Sequence, residues 1–187
     1  MSSESQDIAN EDLFAGIEYN EAIVGALSTI HESLVAFSEM ADSKANIMIT
    51  VCSILLGLAV AKIEQGVMVM PLSFFVLCCV PALTFAILTV LPAKPPRRGQ
   101  VADVQKLPHF NPLFFMHFSL VPLKIFKQEI HRTISDPQQL YDGLTRDIYY
   151  AGIVIGTKKF RYLRWSYLSL LAGVALGGIA VAVSLIL

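Results

Sequence analysis

Tyr167–Leu187, YLSLLAGVALGGIAVAVSLIL, ends the chain with 21 residues and not one charge. A helix needs about 20 such residues to cross a hydrocarbon core, and a run this long is seldom a soluble core helix. Working back from it, two more apolar stretches stand out, Ala45–Ile63 and Val67–Leu91. The first makes roughly 28 Å of helix at 1.5 Å per residue, about one bilayer core. The second is also uncharged, although Pro71 and Pro81 interrupt it. The pattern predicts an all-α membrane protein with three transmembrane helices, at 45–63, 67–91 and 167–187.

The net charge of −1 conceals a strong segregation. Residues 1–43 carry nine acids (Glu4, Asp7, Glu11, Asp12, Glu18, Glu21, Glu32, Glu39, Asp42) and no base. Between Lys94 and Arg164 lie 12 of the 14 Lys and Arg residues, against five acids. Lys and Arg collect on the cytoplasmic side of a membrane, whereas acids say little about orientation. Residues 94–164 are therefore expected in the cytoplasm, and with two spans before them the N-terminus too. The turn Glu64-Gln65-Gly66 and the C-terminus then face outward. The first apolar run starts too late, and follows too acidic a stretch, for a cleaved signal peptide. Cys52, Cys78 and Cys79 all fall inside expected spans, where they read as small packing residues rather than a disulfide framework or zinc site.

Residues 1–12 are polar and expected to be a disordered acidic tail. Residues 13–44 are expected to form a helix that becomes the first span. Ile23, Leu27, Ile30, Leu34, Phe37, Ala41 and Lys44 recur in alternating steps of four and three, and no Pro or Gly cap precedes Ala45. The competing possibility is an amphipathic helix lying on the bilayer surface. Residues 92–166 form a basic segment that opens with the stiff linker Lys94-Pro95-Pro96-Arg97-Arg98-Gly99. The Phe-rich stretch 107–121 is too short to span and is broken by Pro108 and Pro112. A short helix follows at Lys124–Ile134, with Phe126, Ile130 and Ile134 on one face. Asp136-Pro137-Gln138-Gln139 then combines a cap, a proline at the first helical position and a capping-box Gln. The helix starting there has Leu140, Leu144, Ile148, Ala151 and Ile155 on its apolar side and meets no further Pro. Two of the three spans are thus expected to be extended by cytoplasmic helical stalks.

Signatures of catalysis such as HExxH, GxSxG, a Walker loop or CxxC do not occur, so an enzyme is not expected. His31, His109, His117 and His131 fall at no metal-ligand spacing, and no metal or cofactor is expected. Gly173 and Gly177, with Gly178 beside them, suit a close helix–helix contact. Gly152 and Gly156 repeat the spacing, which packing against the first stalk would explain. The cations Lys159, Arg161 and Arg164 with Tyr162 and Trp165 lie one turn before the last span and read as a membrane anchor at the lipid headgroups. Arg146, beside Asp147, Tyr149 and Tyr150, lies farther from the bilayer. It suits an anionic ligand, with an ion pair to Asp142 as the rival.

Several stretches together resemble one family, the transmembrane effectors of Pycsar, the bacterial pyrimidine-cyclase antiphage defence. They are Ala41-Asp42-Ser43-Lys44-Ala45, the run Asn111-Pro112-Leu113-Phe114-Phe115-Met116-His117-Phe118, Leu140-Tyr141, Arg146-Asp147-Ile148-Tyr149, and Lys158-Lys159-Phe160-Arg161-Tyr162-Leu163-Arg164. The resemblance covers roughly 22–179. It implies a companion cyclase making cyclic CMP or cyclic UMP, and an effector that senses that nucleotide and impairs the bacterial inner membrane, as a homo-oligomer among membrane lipids. No nucleic-acid polymer is implied as a partner. The candidate ligand residues are Asn111, His117, Tyr141, Arg146, Asp147, Tyr149 and Lys158. The runner-up is a membrane scaffold or sensor subunit that binds a partner protein through its stalks.

Overall fold

A computed structural model describes residues 14–92 and 110–186. The expected tail at 1–12, the linker at 94–99, Pro108 and His109 lie outside the described residues. Those that are described are helical, in turns or irregular, without a strand. The helices are α1 (Glu21–Glu64), α2 (Val69–Val90), the single turn α3 (Phe115–Phe118), α4 (Leu123–Ser135), α5 (Pro137–Val154) and α6 (Phe160–Ile186). A π-helical turn, Ile155–Lys159, joins α5 to α6. Three helical runs are long and apolar enough to cross a membrane: Glu21–Glu64, Val69–Val90 and Pro137–Ile186. The all-α, three-span expectation therefore holds, and two of the runs extend far beyond the length that a bilayer needs.

Local chemistry accounts for the boundaries. At the end of α1, Gly66 takes a left-handed φ of 72°. Its N–H donates to Ile63 O at 2.9 Å and that of Val67 to Lys62 O at 3.0 Å, a Schellman closure that satisfies two terminal carbonyls. Pro71 does not interrupt α2, because it sits in the first turn, where its missing N–H has no acceptor within the helix. Pro81 lies inside α2 without ending it. Asp136 starts α5: its Oδ1 accepts from Gln138 N at 3.0 Å and its Oδ2 from Gln139 Nε2 at 3.0 Å. The cap thus forms with Gln139 on the carboxylate rather than on the backbone N–H of Asp136. On α4, Phe126 and Ile130 are half-buried, but Ile134 is exposed and Thr133 takes the buried position.

The chain divides into two compact units. The first draws on Met1–Glu32 and Lys94–Ala151. In it Tyr141 is fully buried, and its hydroxyl accepts from Asn20 N at 2.7 Å. The ring of Phe14 lies 6.1 Å from that of Tyr141, so α5 grips the chain just before α1.

The second unit comprises Ser33–Ala93 and Gly152–Leu187. Its core is built of small residues: Met48, Cys52, Cys79, Ala82 and Ala86 cluster with Phe75 and Leu170, and Ala41 and Ala45 pack with Leu163. Lipid supplies no hydrophobic drive between helices, so close backbone approach and hydrogen bonds must hold them together. Both are present. Ser166, fully buried on α6, donates from Oγ to Ala82 O of α2 at 2.7 Å. A Cβ on Gly173 would lie 2.9 Å from Cys78 Cβ, and one on Gly177 3.5 Å from Pro71 O. Gly178, Gly152 and Gly156 face open space. The packing expected of Gly152 and Gly156 is thus corrected: the spacing recurs, but no other helix among the described residues comes within 4 Å of where their Cβ atoms would stand.

Candidate functional site

In the first unit, Asn111 organises a turn of the Phe-rich segment against α5. Its Nδ2 donates to Gly143 O at 2.8 Å, its Oδ1 accepts from Leu113 N at 3.0 Å, and its own N–H donates to His117 Nδ1 at 3.1 Å. Gly143 makes room for this, since a Cβ there would meet Leu113 Cδ1 at 3.1 Å and Asn111 Oδ1 at 3.3 Å. His117 is wedged between aromatic rings, stacked on Phe110 at 6.0 Å and edge-on to Phe114 at 5.0 Å. Burial there lowers its pKa, and the acceptor role of Nδ1 keeps that nitrogen unprotonated.

This turn, α4 and α5 enclose a cleft of about 340 Å³, at the small end of ligand-pocket volumes. Phe110, Asn111 and Pro112 form one wall, Glu129, Arg132 and Thr133 of α4 a second, and Gln139, Asp142, Gly143 and Arg146 of α5 the third. Two guanidinium groups and two carboxylates therefore share a polar recess flanked by an aromatic ring. Arg146 Nε donates to Asp142 at 2.9 Å (Oδ1) and 2.8 Å (Oδ2), which is the rival ion pair named above. The pair lies at the rim, with the Arg146 side chain 34% exposed. Arg132 is exposed at the last turn of α4.

Of the candidate ligand residues, Asn111 and Arg146 line this cleft together, and His117 supports it from behind through Asn111. Tyr141 is buried with its hydroxyl on the backbone of Asn20. Asp147 accepts from or pairs with His31 Nδ1 at 3.0 Å; burial raises its pKa and His31 partly offsets that. Tyr149 is exposed beside Tyr150. Lys158 belongs to the second unit, in the π-helical turn. Of the anchor candidates, Arg161, Arg164 and Trp165 are exposed, whereas Tyr162 stacks on Phe85 at 6.4 Å and Lys159 binds Asp42 at 2.6 Å. Arg132, Glu129 and Thr133 were not singled out in the sequence. Their one signal was the i, i+3 placement of Glu129 and Arg132 on the polar face of a short amphipathic helix.

No curated protein and no solved structure matches the chain. A family model described as the Pycsar effector protein domain matches residues 26–187. That stretch includes the cleft, the first membrane-competent helix from residue 26 on and the whole apolar part of the other two, so the chain belongs to the Pycsar effector family and is a multi-pass membrane effector of antiphage defence.

Proposed function

We propose that this effector senses a cyclic pyrimidine mononucleotide, cyclic CMP or cyclic UMP, in the 110–146 cleft and in response impairs the bacterial inner membrane. The observation that carries the reading is the meeting of Asn111, Arg132 and Arg146 around one recess of ligand size. A cyclic mononucleotide presents one negative charge, a ribose hydroxyl and a flat base. Arg132 and Arg146 suit the phosphate, since guanidinium forks bind phosphate oxygens with charge-assisted hydrogen bonds. Glu129 or Asp142 suits the ribose hydroxyl as an acceptor, and Phe110 offers a face to the base. Tyr149 and Lys158, although candidates by resemblance, are assigned no contact with the nucleotide.

The chain itself carries out no covalent chemistry in this scheme: it binds an anion and shifts a helical equilibrium. α5 supplies one wall of the cleft and leads through the π-helical turn into the last apolar helix, which gives the binding event a direct line along the chain. The charge distribution supports a cytoplasmic N-terminus and a cytoplasmic cleft, where a cyclase product would be found.

The test is calorimetric titration of the detergent-solubilised full chain with cyclic CMP and cyclic UMP. A charge-assisted hydrogen bond contributes about 1.5–3 kcal/mol, so Arg132→Ala and Arg146→Ala should each weaken binding by roughly ten- to a hundredfold. Unchanged affinity in both variants, with wild-type melting, would remove the nucleotide from this cleft.

A further inference from the structure

The apolar part of α1 has two opposite faces. Ala41, Ala45, Met48, Cys52 and Ala59 are buried in the second unit. At ~100° per residue, the far side of the helix carries Glu39, Ser43, Asn46, Thr50, Ser53 and Gly57. All six are exposed. They recur in steps of four and three, and Glu64 continues the line at the other end of the span. A shallow groove of about 600 Å³ runs along the N-terminal half of this face, lined by Glu39, Asp42, Ser43, Asn46, Ile47, Thr50 and Val51, all from α1.

From Asn46 on, within the span expected at 45–63, such a face does not suit hydrocarbon. Thr50 satisfies its hydroxyl on Asn46 O at 3.0 Å, but the Asn46 carboxamide and the Ser53 hydroxyl have no hydrogen-bond partner among the described residues. Exposed to lipid, each unsatisfied group would cost several kcal/mol, and polar side chains in membrane helices accordingly face a bundle interior or water. On the other two spans the exposed hydroxyls of Ser73, Thr84 and Ser184 donate to carbonyls of their own helix, among exposed aliphatic residues such as Leu77, Leu171 and Ile179.

We infer that the polar face of α1 is where copies of this chain meet, and that around their symmetry axis it lines a water-filled, cation-selective path through the membrane. The occupant is a second copy for three reasons. Copies inserted with the same topology are parallel, and the four–three spacing keeps one stripe turned toward a parallel copy of the same helix. A carboxamide is both donor and acceptor, so Asn46 is self-complementary under rotation. Glu39 and Glu64, one at each end, would repel in a dry contact but form acidic rings at the two mouths of a hydrated one, the arrangement that favours cations. The consequence for the membrane rests on the proposed impairment; the placement of the face does not.

The full chain is reconstituted in phosphatidylethanolamine–phosphatidylglycerol vesicles, and potassium and chloride efflux are followed with and without cyclic CMP and cyclic UMP. Asn46→Cys and Ser53→Cys should react with a charged, membrane-impermeant thiol reagent and change the flux, while Leu58→Cys, on the lipid side, should stay unreacted against the wild-type background. Asn46→Leu should bring efflux to background with nucleotide affinity unchanged, and Glu64→Gln should lower the preference for potassium over chloride. Equal reactivity at Asn46→Cys and Leu58→Cys, or wild-type efflux in Asn46→Leu, overturns the inference. Absent nucleotide binding with this labelling pattern intact overturns the sensing function alone; intact binding with an unreactive Asn46→Cys overturns the lining alone.

Discussion

Lys159 Nζ lies 2.6 Å from Asp42 Oδ2, 2.7 Å from Asp42 Oδ1 and 2.8 Å from Ser38 Oγ, so one ammonium group directs its three protons at acceptors on α1. The contact is made from the π-helical turn Ile155–Lys159, whose i→i+5 bonding widens the helix by one residue. A π-turn costs regular hydrogen-bond geometry, and this cation is what the local irregularity brings onto Asp42.

Breaking that pair should destabilise the second unit. The two side chains are 23% and 37% exposed, so their attraction is discounted for solvent screening. About 1–2 kcal/mol is the expected cost of either Lys159→Met or Asp42→Asn. Thermal melts of both single variants and the double variant read the coupling. Additive losses would mean that the two groups act independently and that the ion pair contributes nothing of its own.

The glycine pattern of α6 gives a sharper contrast. Gly173→Val pushes a side chain into Cys78, whose Cβ is already 2.9 Å from where a Cβ would stand, whereas a Cβ on Gly178 would meet no atom of another described helix within 4 Å. Overpacking of this kind costs about 1–3 kcal/mol. Gly173→Val should melt lower than wild type by that margin, and Gly178→Val should melt as wild type. Equal melting of the two would mean that α2 and α6 do not approach as closely as Ser166 and Gly173 indicate.

Much of this was legible in the residues, and the limits have physical causes. Uncharged apolar runs announce spans because hydrocarbon tolerates little else, and Asp136-Pro137 announces a helix start because cap and proline each suit one position. The π-turn left no mark, since IGTKK has no residue that favours i→i+5 over i→i+4 bonding. Gly152 and Gly156 misled because spacing records the opportunity for close packing and not the neighbour that uses it. Arg146 drew attention through its own helix, but Arg132 comes to it from α4, across the Asp136 turn, and no periodicity links the two. The polar side of α1 was masked in a related way: Asn46, Thr50 and Ser53 are too few to lower the hydropathy of the run, and although their spacing puts them on one side, only the burial of the opposite face shows that this side is the one left open.

The proposed orientation follows from charge alone and can be checked apart from any ligand. A cysteine in place of Gln65 should react with an impermeant thiol reagent added to spheroplasts, and one in place of Gln100 should react only after lysis. The reversed pattern would put the cleft outside the cell, away from any nucleotide made in the cytoplasm.

His117 makes the fold around Asn111 sensitive to acid. Its imidazole sits between Phe110 and Phe114 and accepts from Asn111 N, so burial holds its folded pKa below the ordinary value, which is about 6.5 in an unfolded chain. As pH falls past that ordinary value, the unfolded chain takes up the proton first. The unfolded state then binds more protons than the folded one, and stability rises with pH across the interval. The neutral imidazole's contribution is therefore complete above pH ~6.5 and is lost as pH falls toward the depressed folded value. Asp147 works in the opposite sense. Its folded pKa is raised by burial, less the attraction of His31, so its ionisation costs stability as pH climbs from about 3.9. Comparing wild type with His117→Asn cancels the Asp147 effect and leaves that of the imidazole. Asn can offer an oxygen near the position of Nδ1 and does not titrate. Melting temperatures of the two proteins at pH 7.5 and 5.5 should show a larger fall for wild type on acidification. Parallel pH profiles would mean that His117 titrates alike in the folded and unfolded chain, and that its seat between the two phenylalanines is open to water.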